Sequence, residues 1–131
     1  MNLNHFESIT DNNNVELVSR EKNNIYFFSK VTDYSVLKLI GFIANIEYET
    51  LAKIKELKNT LKENDEFYKI DIQPQPIKLI IQSNGGLVTS AFSAVAAIQT
   101  CKIPIHTYIS GHVASAATLI SIAGKKRYII A

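Results

Sequence analysis

Three features of the sequence combine residue types and spacings that could do chemistry. Ser115 closes the stretch "SGHVAS" and opens a segment of small and apolar residues, Ser115 to Ile122, whose pattern predicts a helix. A serine at that point has two readings. It can cap the helix by accepting a backbone N–H. Alternatively its hydroxyl can attack a carbonyl, with the unpaired N–H groups and dipole of the helix start favouring the charge that develops. Gly85-Gly86 is the second feature, in "IIQSNGGLVTS", between an apolar run and a periodic one. Adjacent glycines add nothing to packing and cost backbone entropy. Either the turn needs φ > 0 or something comes very close to this backbone. No G-x-x-x-x-G-K-[ST] or G-x-G-x-x-G pattern surrounds them, so a nucleotide loop has no support. Bare N–H groups aimed at a developing alkoxide are the other use of such a turn. The third feature is the histidines. His112 lies close before Ser115, His106 has apolar neighbours, and His5 falls in a polar arm. With Cys101 they match no recognised metal spacing. "GHVAS" is also not the G-x-S-x-G elbow of the α/β-hydrolases.

The elements that must position these residues are read from periodicity. Residues 1–24 are polar, with Asn12-Asn13-Asn14 and Asn23-Asn24, and read as a loosely docked arm. Ile25 to Phe28 reads as a short strand. Thr32-Asp33 can cap the next segment, where Val36, Leu37, Leu39, Ile40, Ile43 and Ile46 recur at helical spacing. Glu49 to Glu63 carries a narrow stripe of Leu51, Ile54, Leu57 and Leu61 among lysines and glutamates. It reads as a second helix or a continuation of the first. Pro74 and Pro76 lead into "IKLIIQ", Ile77 to Gln82, nearly continuous in apolar residues, as in a strand covered on both faces. A helix is expected over Thr89 to Cys101 and a strand over Ile105 to Ile109. A turn comes next, from Ser110 to Ser115, then the small-residue helix, Gly124 as its cap, and a strand at Tyr128 to Ile130. Strand–helix alternation of this kind implies parallel strands and ligand sites at their carboxyl ends. Gly85-Gly86 and Ser115 both fall at such ends.

Composition bounds the rest. The chain has 131 residues, suited to one domain, with 47% hydrophobic and 20% charged residues. A net charge of +2 gives no case for nucleic acid, and Lys125-Lys126-Arg127 reads as a solvated turn. A single cysteine permits no internal disulfide. No signal-peptide pattern is seen after Met1, and the most apolar stretch, Val113 to Gly124, is shorter than the roughly 20 residues a bilayer span needs. A soluble, cytoplasmic protein without membrane association is expected.

Taken together, the two turns and the segment after them resemble the proteolytic subunits of the Clp proteases, ClpP. That family reads S-P-G-G-x-V-T-x-G, then G-x-A-A-S, then A-G-x-K-x-x-R. Here Ser83 to Thr89 and Gly111 to Ala117 match in order and separation, and Ala123 to Lys126 gives the A-G-x-K of the third, with Arg127 two residues before the pattern's Arg. The resemblance is specific over residues 77–131 and reaches to 25–46. It implies an α/β fold of the ClpP/crotonase type, a spiral of ββα units with parallel strands, incomplete on its C-terminal side. Residues 25–131 would be a partial peptidase domain, with an inserted charged segment at about 48–73. It implies Ser115 as the nucleophile of a serine endopeptidase, and Gly85, Gly86 and Ala116 as the oxyanion hole. Gln82, Ser83, Asn84 and Leu87 would bind the substrate by main-chain pairing. No cofactor is implied. The implied partners are unfolded polypeptide, an AAA+ unfoldase ATPase, and further copies of the chain in homo-oligomeric rings.

Departures from the family pattern are Asn84 for Pro, His112 for Gln and Val113 for Ala. The larger one concerns the base. A serine nucleophile needs a base, usually His, oriented by a carboxylate. The resemblance puts both downstream of "AGKKR", past Ala131. The chain is therefore expected to carry half a catalytic site, to show little peptidase activity alone and to be poorly soluble. The competing reading is a non-catalytic ring subunit of the same fold. A crotonase-type thioester enzyme shares the fold but not the serine context or the "AGKKR" segment, and the membrane-bound signal-peptide peptidases are disfavoured by the missing anchor.

Overall fold

A computed structural model describes residues 16–63 and 71–130. The order is β1 (Glu16–Glu21), β2 (Asn24–Ser29), α1 (Asp33–Glu63), β3 (Ile77–Ser83), α2 (Val88–Thr100), β4 (Ile105–Val113), α3 (Ala116–Ile122) and β5 (Lys126–Ile130). The five strands form one sheet in sequence order. β1 runs antiparallel to β2, and every other pair is parallel. Parallel neighbours need a crossover, and each of α1, α2 and α3 supplies one. The helices form a single layer, α1 packed on α2 and α2 on α3.

The core lies between that layer and one face of the sheet. Ile25 and Phe27 of β2, Ile77, Leu79 and Ile81 of β3, and Ile105 of β4 are buried there. They meet Val36, Leu39, Ile43 and Ile46 of α1, Ala91 and Ala94 of α2, and Ala116, Ala117 and Ile120 of α3. Alanines at the α2–α3 contact let the helices come close, as the small-residue pattern requires. The other face of β3 presents Lys78, half-buried Ile80 and Gln82. Among the described residues the sheet is therefore covered on one face, not two. Ile80 is shielded sideways instead, between its register partners Tyr26 and Tyr108.

Two further expectations change. The segment read as a polar arm ends in a strand, β1, which pairs along its length with β2 and buries Val18. Its alternation was masked by Glu16, Ser19, Arg20 and Glu21, which suit an edge strand. Residues 1–15 of the arm, His5 included, lie outside the described residues, as do 64–70 of the charged insertion and Ala131. Of the two readings of Glu49 to Glu63, a second helix or a continuation of the first, the structure has the continuation: α1 runs without a break through Tyr48 to Glu63. The turn expected from Ser110 is instead the end of β4. There three residues, Ser110 to His112, stand opposite the single Gln82 before Ser83 pairs with Val113. Gly111 takes φ 78° in this bulge, a value glycine tolerates.

Candidate functional site

The bulge carries β4 to the place where the chemistry converges. Beyond it Ala114 N–H donates to Ser83 O at 3.0 Å. The next residue, Ser115, takes φ 54° and ψ −132° and then α3 begins. A side chain in this region costs on the order of 1–3 kcal/mol, and such residues cluster at functional sites. A sharp strand-to-helix turn with a strained serine at its apex is the geometry of a nucleophile elbow. The sequence pattern G-x-S-x-G is absent, yet the backbone shape is present.

This geometry separates the two readings of Ser115. It occupies the N-cap position of α3, but its side chain makes no capping hydrogen bond. The residue is exposed, and its hydroxyl has no hydrogen-bond partner among the described residues. A serine kept for capping would bond the helix start; one held out from the backbone is free to react.

The Gly85–Gly86 turn lies directly against it. A Cβ placed on Gly85 would stand 2.6 Å from Ser115 Cβ and 3.1 Å from Ala116 N. One placed on Gly86 would stand 2.2 Å from Val31 O. Both glycines also take positive φ, 103° and 151°. Both explanations for paired glycines therefore hold at once, and the two approaching groups are different: the serine turn on one side, the segment between β2 and α1 on the other.

The N–H groups around Ser115 differ in what they bond. Gly85 N–H donates to Ser83 Oγ at 3.1 Å, a buried contact. Leu87 N–H donates to Val31 O at 2.8 Å. Gly86 N–H and Ala116 N–H donate to no acceptor among the described residues. Ala116 N–H is one of the unpaired groups that begin any helix. Thus two of the three expected donors are open, and Gly85 serves as the surface on which Ser115 rests. Of the residues expected to bind an extended chain, Gln82, Asn84 and Leu87 are exposed beside the turn, whereas Ser83 is buried.

The described histidines are placed elsewhere. His112 sits in the bulge, and its Nε2 meets Asn84 Oδ1, joining the two turns. Closeness to Ser115 in sequence does not become a hydrogen bond to its hydroxyl; the His112 ring is engaged by Asn84. His106 is at the other end of β4, tilted against the Tyr128 ring at 6.2 Å between centroids. Burial first, then Lys126, Lys125 and Lys78, hold its pKa below the usual 6.5. Cys101 is half-buried after α2; burial above all pushes its thiol up to about 11, which leaves it protonated and unreactive. No group of three or more His, Cys, Asp or Glu among the described residues could hold a metal ion. No described helix is long and apolar enough to cross a membrane.

A family model described as Clp protease matches residues 66–131. Among solved structures, the chain is similar to a ClpP1 mutant from Listeria monocytogenes, with 17% identity and a TM-score of 0.61, covering 82% of this chain and 51% of that one. It is also similar to the ClpP protease catalytic domain from Plasmodium falciparum, with 22% identity and a TM-score of 0.59, covering 83% and 55%. The chain thus spans about half the length of the structures it matches. A search of curated proteins gives no match.

Proposed function

The chain belongs to the Clp protease family, and from that premise we propose that it is the nucleophile-bearing part of a serine endopeptidase acting on unfolded polypeptide. The observation that carries this reading is the strained, uncapped Ser115 packed against the Gly85–Gly86 turn, with Gly86 N–H and Ala116 N–H unpaired among the described residues. In it, Ser115 Oγ attacks the scissile carbonyl. The oxygen that becomes negative is received by Gly86 N–H and Ala116 N–H, donors already fixed in direction before reaction. A single donor of this kind is worth roughly 3–4 kcal/mol of barrier. The exposed residues Gln82, Asn84 and Leu87 beside the turn line the path of the substrate main chain in this reading, which suits a peptidase that reads extended chain rather than particular side chains.

Proton transfer from Ser115 needs a base that the described residues do not bring to it, since His112 bonds Asn84 and His106 is remote. The reading therefore assigns His and its carboxylate to sequence beyond residue 131, and assigns ring assembly and feeding by an AAA+ unfoldase in the cytoplasm to the intact protein. The same lack of a base favours a second reading, a non-catalytic ring subunit. The test begins with the gene beyond the codon for Ala131. The first reading expects a continuing frame that encodes His and Asp, and a product whose hydrolysis of a fluorogenic peptide disappears in Ser115→Ala. A stop codon with no hydrolysis favours the second reading. Undiminished hydrolysis by Ser115→Ala would overturn the role given to Ser115.

A further inference from the structure

The Gly85–Leu87 turn is gripped by a residue that belongs to neither β3 nor α2. Val31, fully buried between β2 and α1, donates its N–H to Gly85 O at 2.8 Å and accepts Leu87 N–H at 2.8 Å. The peptide units on either side of Gly86 are thus fixed by one bridge, and Gly86 has no room for a side chain against Val31 O. The direction of Gly86 N–H depends on where Val31 is held.

Two bonding systems hold Val31. On one side, Thr32 and Ser35 cap α1 reciprocally. Ser35 N–H donates to Thr32 Oγ1 at 3.0 Å, and Thr32 N–H donates to Ser35 Oγ at 2.9 Å. The buried Ser35 hydroxyl also donates to Lys30 O at 2.7 Å, so the residues before and after Val31 are tied to one serine. On the other side, the hydroxyl of Ser90 donates to Asp33 Oδ1. Ser90 lies in the first turn of α2, shortly after Leu87, and is only 3% exposed. A loop is closed: from Gly86 to Val31, along the chain to Asp33, across to Ser90, and back along α2 to the turn. A cap for α1 does not require an acid that reaches another helix, because Thr32 and Ser35 already supply one.

We propose that Asp33 is a positioning residue for the oxyanion donors, acting through Ser90 and Val31 on Gly86 N–H. This rests on Gly86 N–H being such a donor. Asp33→Asn keeps the Oδ1 acceptor and should preserve the arrangement. Asp33→Ala removes it, leaves a buried hydroxyl without a partner and loosens the bridge.

The test is amide NMR on the chain with two readouts. The first is hydrogen exchange at Leu87, whose N–H closes the bridge, against Ile81 in the core. The second is the shift of the Gly86 amide on adding a peptide boronate. In that adduct Ser115 Oγ bonds to boron, its proton passes to solvent, and a boron-bound hydroxyl occupies the oxyanion position. Asp33→Ala and Ser90→Ala are expected to speed Leu87 exchange by about tenfold or more with Ile81 unchanged, and to shrink the Gly86 shift, whereas Asp33→Asn matches wild type on both. Wild-type exchange in Asp33→Ala, or no rescue by Asp33→Asn, overturns the positioning role while the wild-type Gly86 shift leaves the oxyanion reading standing. If the wild-type chain shows no Gly86 shift while Leu87 exchange responds to Asp33→Ala, the oxyanion reading fails, and the brace is structural only.

Discussion

Ser115 shows what one residue can disclose once its backbone is known. Its identity and its place at a strand end are legible from the sequence, as is the company of Gly85-Gly86. Its φ of 54° and the idleness of its hydroxyl are not, because both arise from contact with a turn about thirty residues away in the chain. The same holds for Gly85 N–H, which sequence reasoning offers as a donor but which Ser83 Oγ engages. Because the strain comes from the Cβ, Ser115→Gly should stabilise the fold by about 1 kcal/mol, after allowance for the freer unfolded chain, whereas Ser115→Ala should change it little. Urea unfolding of both variants checks this, and equal midpoints would contradict it. Gly86→Ala should cost at least about 3 kcal/mol, since its Cβ meets backbone that cannot give way.

At the scale of elements, α1 has two halves with different duties. Up to Ile46 it fills the core; beyond it no α1 residue joins the core cluster. The last described ties are Glu47, which accepts Lys102 N–H, and Glu49, which pairs with Arg20. Tyr48 and Leu57 are exposed. Ile43→Ala should therefore cost about 2–5 kcal/mol, and Leu57→Lys less than about 0.5, in the same unfolding experiment. Periodicity revealed the two halves and left open whether they form one helix, since the change from a broad apolar face to a narrow stripe looks like a boundary. β1 and the β4 bulge were less legible still. An edge strand with four polar residues in six resembles a loop, and a bulge is defined only by the partner strand it faces.

For the whole molecule, the family and the parallel α/β order were legible because glycine turns, strand lengths and helix periods agree over residues 77–131. The molecule also shows apolar surface: Tyr128, Ile129 and Ile130 of β5 are 41%, 80% and 47% exposed. Its stability should fall with pH in two windows. His106 has a lowered pKa in the fold, so the unfolded chain takes up the proton first and stability declines as pH drops below about 6.5. Glu47, held below its usual 4.5 first by the Lys102 N–H and then by Cys101, contributes fully at neutral pH and loses that contribution only below about 4.5. Melting temperatures between about pH 7.5 and 5.5 should therefore fall less in His106→Gln than in wild type, and an identical decline would contradict the assignment.

The central claim is that Ser115 and the N–H groups of Gly86 and Ala116 form one acyl-transfer site. A crystal structure of the chain soaked with a peptide boronate tests it most directly. The expected result is continuous density from Ser115 Oγ to boron, with one boron-bound oxygen about 3 Å from both N–H groups. Boron absent from Ser115, or bonded there with its oxygens turned away from Gly86, would contradict it.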